Sequence, residues 1–161
     1  MIRSVNLSDA AAIRDIYNYY IENTAVSFEE KPVGIGEMEE RIRTISAKYP
    51  YLVLEEAGEV IGFAYANAWK DRSAYKYSAE LSLYLRTDCQ GRGMGRILFE
   101  KLLEELRTAD IHSAVSGIVL PNDRSVALHE KLGFKKIAHF EEIGFKFNKW
   151  HDVGYWELIL K

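Results

Sequence analysis

The chain has 161 residues, 48% of them hydrophobic and 28% charged, with a net charge of -3 at pH 7, which predicts one globular domain over residues 1–161 and excludes a disordered or fibrous chain. The slight acidity argues against a nucleic-acid partner, because such proteins usually carry a basic field. Neither a secretory signal nor an apolar run that could cross a bilayer is found, and one cysteine excludes an internal disulfide, so we expect a cytoplasmic protein without a membrane partner.

The first part of the chain alternates between strand and helix signals. Residues 2–5 predict a short strand, after which Ser8 or Asp9 is placed to cap a helix with apolar residues at helical spacing. A second helix is predicted over residues 36–48, ending before Pro50. Strand-like runs on both sides of Ala57 and Gly58 then predict a hairpin.

SAELSLYL, residues 78–85, alternates cleanly between apolar and polar side chains. The pattern predicts a strand with Leu83 on a core-facing side and Glu80 on the opposite side. Downstream, leucines at four-residue spacing predict a helix over residues 94–109, followed by a strand over 113–120. Asn122 or Asp123 is placed to cap a short helix that Gly133 ends, and two final strands are expected near residues 135–142 and 150–160. These elements together predict an α+β fold on a mixed sheet.

The stretch CQGRGMG, residues 89–95, places three glycines between the predicted strand and helix. It lacks the spacing of the dinucleotide motif G-x-G-x-x-G, and no G-K-[ST] follows as in a P-loop. Bare backbone before a helix directs N–H groups at an anion such as a diphosphate, and Arg92 and Arg96 add positive charge. A tight turn without a ligand explains the glycines of this loop equally well.

Two motifs in order resemble the GCN5-related N-acetyltransferases, the GNAT family. QGRGMG at residues 90–95 matches the Q/R-x-x-G-x-G/A loop, and NDRSVALHEKLGF at 122–134 is similar to the segment from asparagine to E-K-x-G-F. LPNDRSVALHEKLGF, GFKFNKWHDVGYW and TAVSFEEKP further resemble the phosphinothricin acetyltransferase branch, over nearly the full chain. The resemblance implies a GNAT fold, with a mixed central sheet splayed at a bulge and helices on both faces.

Acetyl-CoA is the co-substrate that the resemblance implies. The main chain of Leu83, Tyr84 and Leu85 would pair with its pantetheine arm like an added strand. Asn122 would contact it from the next strand end, a role compatible with capping the helix. The loop that would hold the pyrophosphate consists of Gln90, Gly91, Arg92, Gly93, Met94, Gly95 and Arg96.

The chemistry needs a proton acceptor, because an amine near neutral pH is largely protonated. Glu80 matches the family's glutamate in the T-x-E segment and is predicted as the general base, whereas a solvated surface carboxylate is the alternative. A backbone N–H near Leu83, left free by the bulge, would bind the oxyanion, so no metal is expected. His129 stands where many relatives have tyrosine; it would protonate the departing thiolate or act as a base, or else be a buried structural histidine.

The resemblance also implies an acceptor site. Arg72, Tyr75 and Lys76 lie where the branch has an R-x-A-Y-R-like segment, suited to a carboxylate or phosphinate. Lysine stands at position 76 where arginine is expected, which makes bidentate binding doubtful there. Phe28 and Trp150, with Tyr155, are predicted pocket walls, and WHDVGYW is a candidate subunit interface of a homodimer.

The predicted activity is acetyl transfer from acetyl-CoA to the amino group of phosphinothricin, methionine sulfone or methionine sulfoximine. Two alternatives stay open: an acyl-CoA-binding sensor or partner-binding module without turnover, and an acetyltransferase for a polyamine or a protein N-terminus. Glu80 and His129 favour an enzyme, because a binding module has no need of both titratable groups. The four histidines show no paired ligand spacing, and Cys89 has no predicted imidazole partner.

Overall fold

The computed structural model describes residues 1–161 and contains four helices and seven strands. The helices are α1 (Ala10–Asn23), α2 (Ile35–Ser46), α3 (Met94–Thr108) and α4 (Asp123–Lys131). The strands are β1 (Ile2–Ser4), β2 (Tyr51–Glu56), β3 (Glu59–Ala68), β4 (Ser78–Leu85), β5 (Ser113–Leu120), β6 (Lys135–Lys146) and β7 (Lys149–Ile159). None of the helices combines the length and the apolar character that crossing a membrane requires.

All seven strands form one sheet in the order β1-β2-β3-β4-β5-β7-β6. Neighbouring strands run antiparallel except β4 and β5, which run parallel across the middle of the sheet. The predicted α+β fold on a mixed sheet is therefore confirmed.

The sheet opens in its middle, between β4 and β5. These strands share only three residue pairs, the last of which joins Glu80 to Val115. Beyond that pair β4 remains with β3 in unbroken register up to Leu85, while β5 remains with β7 up to Leu120. The opening thus results from divergence of the two strands, and the predicted bulge is absent from the pairing of β4. The shifts in register lie between β2 and β3 and between β6 and β7.

Each face of the sheet carries its own apolar core. Alternate residues of β2 divide between them: Leu52 and Leu54 belong to the core under α3, and Tyr51 and Val53 to the core under α1 and α2. The predicted apolar stripe of α3 is confirmed, because Leu98, Leu102 and Leu106 are fully buried: each is 0% exposed.

The face of β4 opposite its leucines differs from the expectation, because it is not uniformly polar. The Tyr84 ring packs against Tyr17, Tyr20 and Phe63 in the core under α1. The apolar helix α1 covers this end of the strand. Glu80, at the other end of the same face, lies where no helix covers it, and it lines a pocket instead.

The last two strands are longer than predicted and form one hairpin. Its turn is made by Phe147 and Asn148, both with positive φ, at 53° and 57°. A two-residue turn with positive φ at both positions matches the twist of the flanking strands, but it normally carries asparagine and glycine. Because position 147 carries phenylalanine, the sequence gives no turn signal there. It predicts a break between strands over residues 142–150, where the structure has a continuous hairpin.

Helix ends are partly as predicted. The Asn122 side chain accepts a hydrogen bond from the Ser125 N–H and caps α4, and Gly133 follows that helix with φ of 95°. Asp9 precedes α1 but does not cap it with its side chain. Its carboxylate instead accepts hydrogen bonds from the Arg3 guanidinium and from the backbone N–H of Asn6.

Candidate active site

A pocket of about 830 Å³ lies at the sheet opening, lined by β4, β5, β6, β7, the segment that follows α1 and the segment that follows β3. Most of its lining is hydrophobic. Four residues predicted from the sequence to be catalytic or to belong to the acceptor site line this pocket: Phe28, Tyr75, Glu80 and Tyr155. Tyr75 and Glu80 are five positions apart, so the pocket gathers these four residues from three distant parts of the chain.

Glu80 occupies the point where the two central strands part. It is half-buried, and this burial raises the pKa of its carboxyl above 4.5, while the charge of Lys70 acts in the opposite sense. A carboxylate with a raised pKa accepts a proton more readily than an exposed one. Its position and its basicity suit the role of general base.

Two charged residues of the pocket were not singled out from the sequence. Glu157 lies on β7 and accepts a hydrogen bond of 2.9 Å from the Ser113 hydroxyl. Alternation along β7 places Glu157 on the same face as Tyr155, and this pattern is the sequence signal that identifies Glu157 as a pocket residue. Lys70 lies in the segment after β3, with its ammonium 4.9 Å from the centroid of the Trp69 ring. No local pattern marks Lys70 as a pocket residue.

Three predicted acceptor residues lie outside the pocket walls. Arg72 and Lys76 are exposed on either side of a short 3-10 turn, and the Lys76 ammonium lies over the Tyr77 ring. Trp150 is 57% exposed and packs against Phe145 near the hairpin turn. It differs from Tyr155 by an odd number of positions, so the two side chains leave opposite faces of β7.

A second, smaller cavity of about 90 Å³ lies deeper in the opening, between β4, β5 and α4. It shares Val26, Gly117 and Val119 with the larger pocket, so the two spaces adjoin. The predicted cofactor and catalytic residues that meet in its wall are Leu83, Tyr84, Asn122 and His129. Along this part of β4 the edge facing β5 has no strand partner, and it is free to pair with an extended ligand.

His129 is buried beside this cavity, with 5% of its surface exposed. Its Nδ1 lies 2.7 Å from the carbonyl oxygen of Ser125, which only accepts hydrogen bonds, so Nδ1 carries the hydrogen. Burial lowers the pKa of the imidazole below 6.5, and Nε2 is left buried without a partner. In this state His129 is a neutral proton acceptor and has no Nε2 proton to give to a thiolate.

Ser116 is a further polar residue at this cavity that sequence reasoning missed. Its hydroxyl is buried, like Nε2 of His129, and has no hydrogen-bond partner. Its sequence signal is alternation along β5, which places Ser116 on the same core-facing side as Ala114 and Ile118. Two buried polar atoms without partners in the wall of one cavity indicate a place for a polar ligand group or water.

The glycine loop has the features of an anion site. Gly91 and Gly93 adopt φ of 77° and 76°, a conformation that side chains disfavour, and α3 begins at the next residue, Met94. No backbone N–H of residues 90–96 is used in an intramolecular hydrogen bond. A run of free N–H groups at the start of a 15-residue helix suits a phosphate.

Side chains around the loop hold it in place and supply positive charge. Gln90 donates to the Tyr20 hydroxyl at 2.7 Å and accepts from Arg124 at 2.7 Å. Arg92 is paired with Glu56 at 2.9 Å, and Arg96 with Glu100 at 2.8 Å. Both of these pairs are exposed, so either arginine is able to exchange its carboxylate for a phosphate at little cost.

The remaining candidates are located elsewhere. The Cys89 thiol is buried in the core under α3, with 2% of the residue exposed. No group of three or more histidine, cysteine, aspartate and glutamate side chains is close enough together to hold a metal ion.

Comparison with known proteins gives concordant matches. The profile of the acetyltransferase (GNAT) domain matches residues 2–154. A phosphinothricin N-acetyltransferase of Streptomyces viridochromogenes is 39% identical over 97% of this chain and 85% of its own length. An L-methionine sulfoximine/L-methionine sulfone acetyltransferase of Salmonella typhimurium is 35% identical over 99% of this chain and 94% of its own. A GNAT superfamily phosphinothricin acetyltransferase of Sinorhizobium meliloti, solved in complex with acetyl-CoA, superposes with a TM-score of 0.96 at 33% identity, covering 99% of this chain and 88% of that one.

Proposed function

The chain belongs to the GNAT family of acetyltransferases, and we propose that it transfers the acetyl group of acetyl-CoA to the amino group of a small amino-acid analogue. Phosphinothricin, methionine sulfone and methionine sulfoximine are the acceptors proposed, because relatives that match nearly the whole chain are named for them. The observation that carries the proposal is the position of Glu80, where the pocket meets the opening between β4 and β5.

The two spaces of the opening divide the work between co-substrate and acceptor. The free edge of β4 from Leu83 to Leu85 would pair with the pantetheine arm, and residues 90–96 would bind the pyrophosphate through their free N–H groups. Asn122, at the wall of the small cavity, would contact the arm from the opposite side. The acceptor would then enter from the larger pocket, which adjoins the small cavity.

The reaction follows from this placement. Glu80, directly or through a water molecule, accepts a proton from the acceptor ammonium, and the neutral nitrogen attacks the thioester carbonyl carbon. A backbone N–H near Leu83, on the edge of β4 that lacks a strand partner, donates to the oxyanion. The C–N bond forms, the C–S bond breaks, and the sulfur leaves with the bonding pair. As the amide forms, the nitrogen gives up a second proton, and the departing thiolate takes up a proton with little help, because a free thiol has a pKa of about 8.5.

The polar groups of the pocket suit an acceptor that carries both an ammonium and an anion. Lys70 is the one lysine or arginine in the pocket wall, and its charge acts on Glu80. We assign the acceptor's carboxylate or phosphinate to Lys70 and its amino group to Glu80. The mostly hydrophobic walls take the intervening side chain. This assignment transfers to Lys70 the anion-binding role that the sequence suggested for Arg72 and Lys76.

The test is acceptor-dependent release of CoA thiol from acetyl-CoA, measured with phosphinothricin, methionine sulfone, methionine sulfoximine, spermidine and a short peptide. Saturable turnover with the amino-acid analogues is expected. Lys70→Ala should raise their KM about tenfold, whereas Lys101→Ala, an exposed lysine on α3, should leave it unchanged. A rise in KM with Lys76→Ala and none with Lys70→Ala would show that Lys76, the residue suggested by the sequence, binds the anionic group of the acceptor.

The other outcomes separate the alternative functions. Turnover with spermidine or peptide alone would contradict the proposed acceptor but support the assignment as an acetyltransferase. Binding of acetyl-CoA without turnover of any acceptor in a wide panel would favour a sensor or partner-binding module.

We also propose a cytoplasmic homodimer. One buried, unpaired cysteine fits a reducing compartment. Exposed apolar side chains are concentrated on the edge strand β6, in the turn that follows it and at the start of β7, including Phe145, Phe147 and Trp150. A second copy packed there would cover this patch. Light scattering should give a molar mass twice that of one chain, and Phe147→Glu should reduce it to the mass of one chain. A monomeric wild type would contradict the dimer.

A further inference from the structure

We propose that Lys146 is a positioning residue for the acceptor site, because its buried ammonium holds the segment that supplies part of the pocket wall. That segment, residues 24–28, is called here the wall segment. Val26 and Phe28 of the wall segment line the acceptor pocket, and Val26 also borders the small cavity. The inference rests on the proposed function, since it assumes that this pocket takes the acceptor.

Lys146 is a lysine without a carboxylate partner, enclosed by backbone. It is 3% exposed, and its ammonium donates to the carbonyl oxygens of Ile21, Thr24 and Ser27 at 2.7, 2.8 and 2.7 Å. An ammonium has three N–H donors, so all of them are used. Such complete pairing offsets the cost of burying the charge, and it ties β6 to a segment about 120 residues earlier in the chain.

The contact fixes the point where α1 ends and the wall segment begins. Ile21 is in the last turn of α1, where carbonyl groups have no partner within the helix. A positive charge is favourable there, because the C-terminal end of a helix carries partial negative charge. Lys146 therefore completes the end of α1 and holds the next six residues, up to Ser27, against the hairpin of β6 and β7.

A second contact on the same strand fixes the wall side chain itself. Gly144 and Lys146 are two positions apart on β6 and lie on one face. A methyl group added at Gly144 would overlap the Cε2 and Cζ atoms of Phe28, so glycine is needed for the ring to lie where it does. The ring also approaches His151, with 6.0 Å between centroids. One strand thus anchors both the backbone and the ring of the wall segment.

Loss of Lys146 should therefore affect the acceptor site more than the acetyl-CoA site, because the wall segment supplies two residues to the larger pocket and only Val26 to the small cavity. Lys146→Met keeps the length of the side chain but leaves three carbonyls without a donor, so the wall segment is held less firmly. We expect the acceptor KM to rise roughly tenfold, since two wall side chains must then be ordered on binding. The Kd for acetyl-CoA should stay within about twofold, because the glycine loop makes no contact with Lys146. Lys149→Met, an exposed lysine of the same hairpin, is the matched control.

Gly144→Ala provides a second route if Lys146→Met folds poorly. Gly144 is not in the left-handed region, so its backbone accepts alanine and the effect acts through Phe28. This variant should also raise the acceptor KM, and its effect should not add to that of Phe28→Leu, because both act on one ring. Additive effects would separate the two residues.

Hydrogen exchange distinguishes failure of this inference from failure of the proposed function. Amides of residues 24–28 should exchange faster in Lys146→Met than in Lys149→Met, whatever the enzyme acetylates. Faster exchange without turnover of any amino-acid analogue by the wild type would refute the acceptor assignment, and with it the positioning role of Lys146. Wild-type turnover combined with unchanged acceptor KM in both Lys146→Met and Gly144→Ala would overturn the inference alone.

Discussion

Glu80 and Val115 form the last residue pair between β4 and β5, and the strands separate immediately beyond it. The carboxylate proposed as the base therefore lies at the apex of the opening. On one side of it is the larger pocket, and on the other is the free edge of β4. In the proposed mechanism, this one topological feature would bring the acceptor amine, the base and the thioester to a common point.

Glu80→Gln should lower kcat by roughly 10² to 10⁴, the range typical of losing a general base. Glutamine keeps the size of the side chain, so acetyl-CoA should still bind with unchanged Kd. Steady-state kinetics with saturating phosphinothricin and calorimetry with acetyl-CoA measure the two effects. A variant that retains most of its kcat would show that Glu80 is not the base.

The same carboxylate predicts an acidic limb in the pH profile of kcat. Burial raises the pKa of Glu80 above 4.5, and the ionised form is the one that accepts a proton. Activity should therefore be lost as the pH falls through this raised pKa, with a midpoint above pH 4.5. The profile measured with saturating substrates should lose this limb in Glu80→Gln; an identical limb in the variant would assign it to another group.

The neutral form of His129 should predominate at pH 6.5, because burial lowers its pKa below that value. Its hydrogen should be on Nδ1, which donates to the Ser125 carbonyl. Nitrogen NMR of the imidazole distinguishes the two neutral tautomers and the charged form. Exposed His112 supplies a reference signal in the same sample. A His129 that is half protonated at pH 6.5 would contradict this state.

Gly93→Ala should weaken acetyl-CoA binding about tenfold. Alanine with φ near 76° costs about 1 to 2 kcal/mol, so the loop would relax away from the conformation that exposes its N–H groups. Gly58→Ala is a matched control, since Gly58 has φ of 81° and lies in the hairpin turn between β2 and β3. Calorimetry should show weaker binding for Gly93→Ala only. Equal losses in both variants would point to general destabilisation.

Asp9→Asn should lower the free energy of unfolding by roughly 1 to 3 kcal/mol near neutral pH. Asp9 is 6% exposed, and hydrogen bonds from Arg3 and from the Asn6 N–H lower its pKa below 3.8. A lowered pKa stabilises the folded state fully above pH 3.8, and this contribution is lost as the pH falls through the folded value. Urea unfolding should therefore show a difference that shrinks in acid. Asp15→Asn, at an exposed pair with Arg14, should change stability by less than about 0.5 kcal/mol.

The elements and the cofactor loop were accessible from sequence, because their signals are local. Leucines at four-residue spacing predicted the buried face of α3, and alternation predicted β4 with Glu80 opposite its leucines. The positive φ of Gly91 and Gly93 accords with a glycine-rich stretch before a helix. Each of these features depends on residues a few positions apart, so backbone geometry transmits the pattern directly into structure.

The pocket walls were decided only by tertiary structure. Lys70 lines the pocket while Arg72 and Lys76, two and six positions later, do not, and no periodicity separates them. Lys146 looks like an ordinary strand lysine until the last turn of α1 and the wall segment bring three carbonyls to it. The opening itself arises because β4 stays paired with β3 along its length, while β5 stays paired with β7. Sequence thus determined the elements and suggested the reacting groups, whereas long-range strand pairing decided which side chains line the pocket, because contacts between residues distant in the chain leave no local pattern.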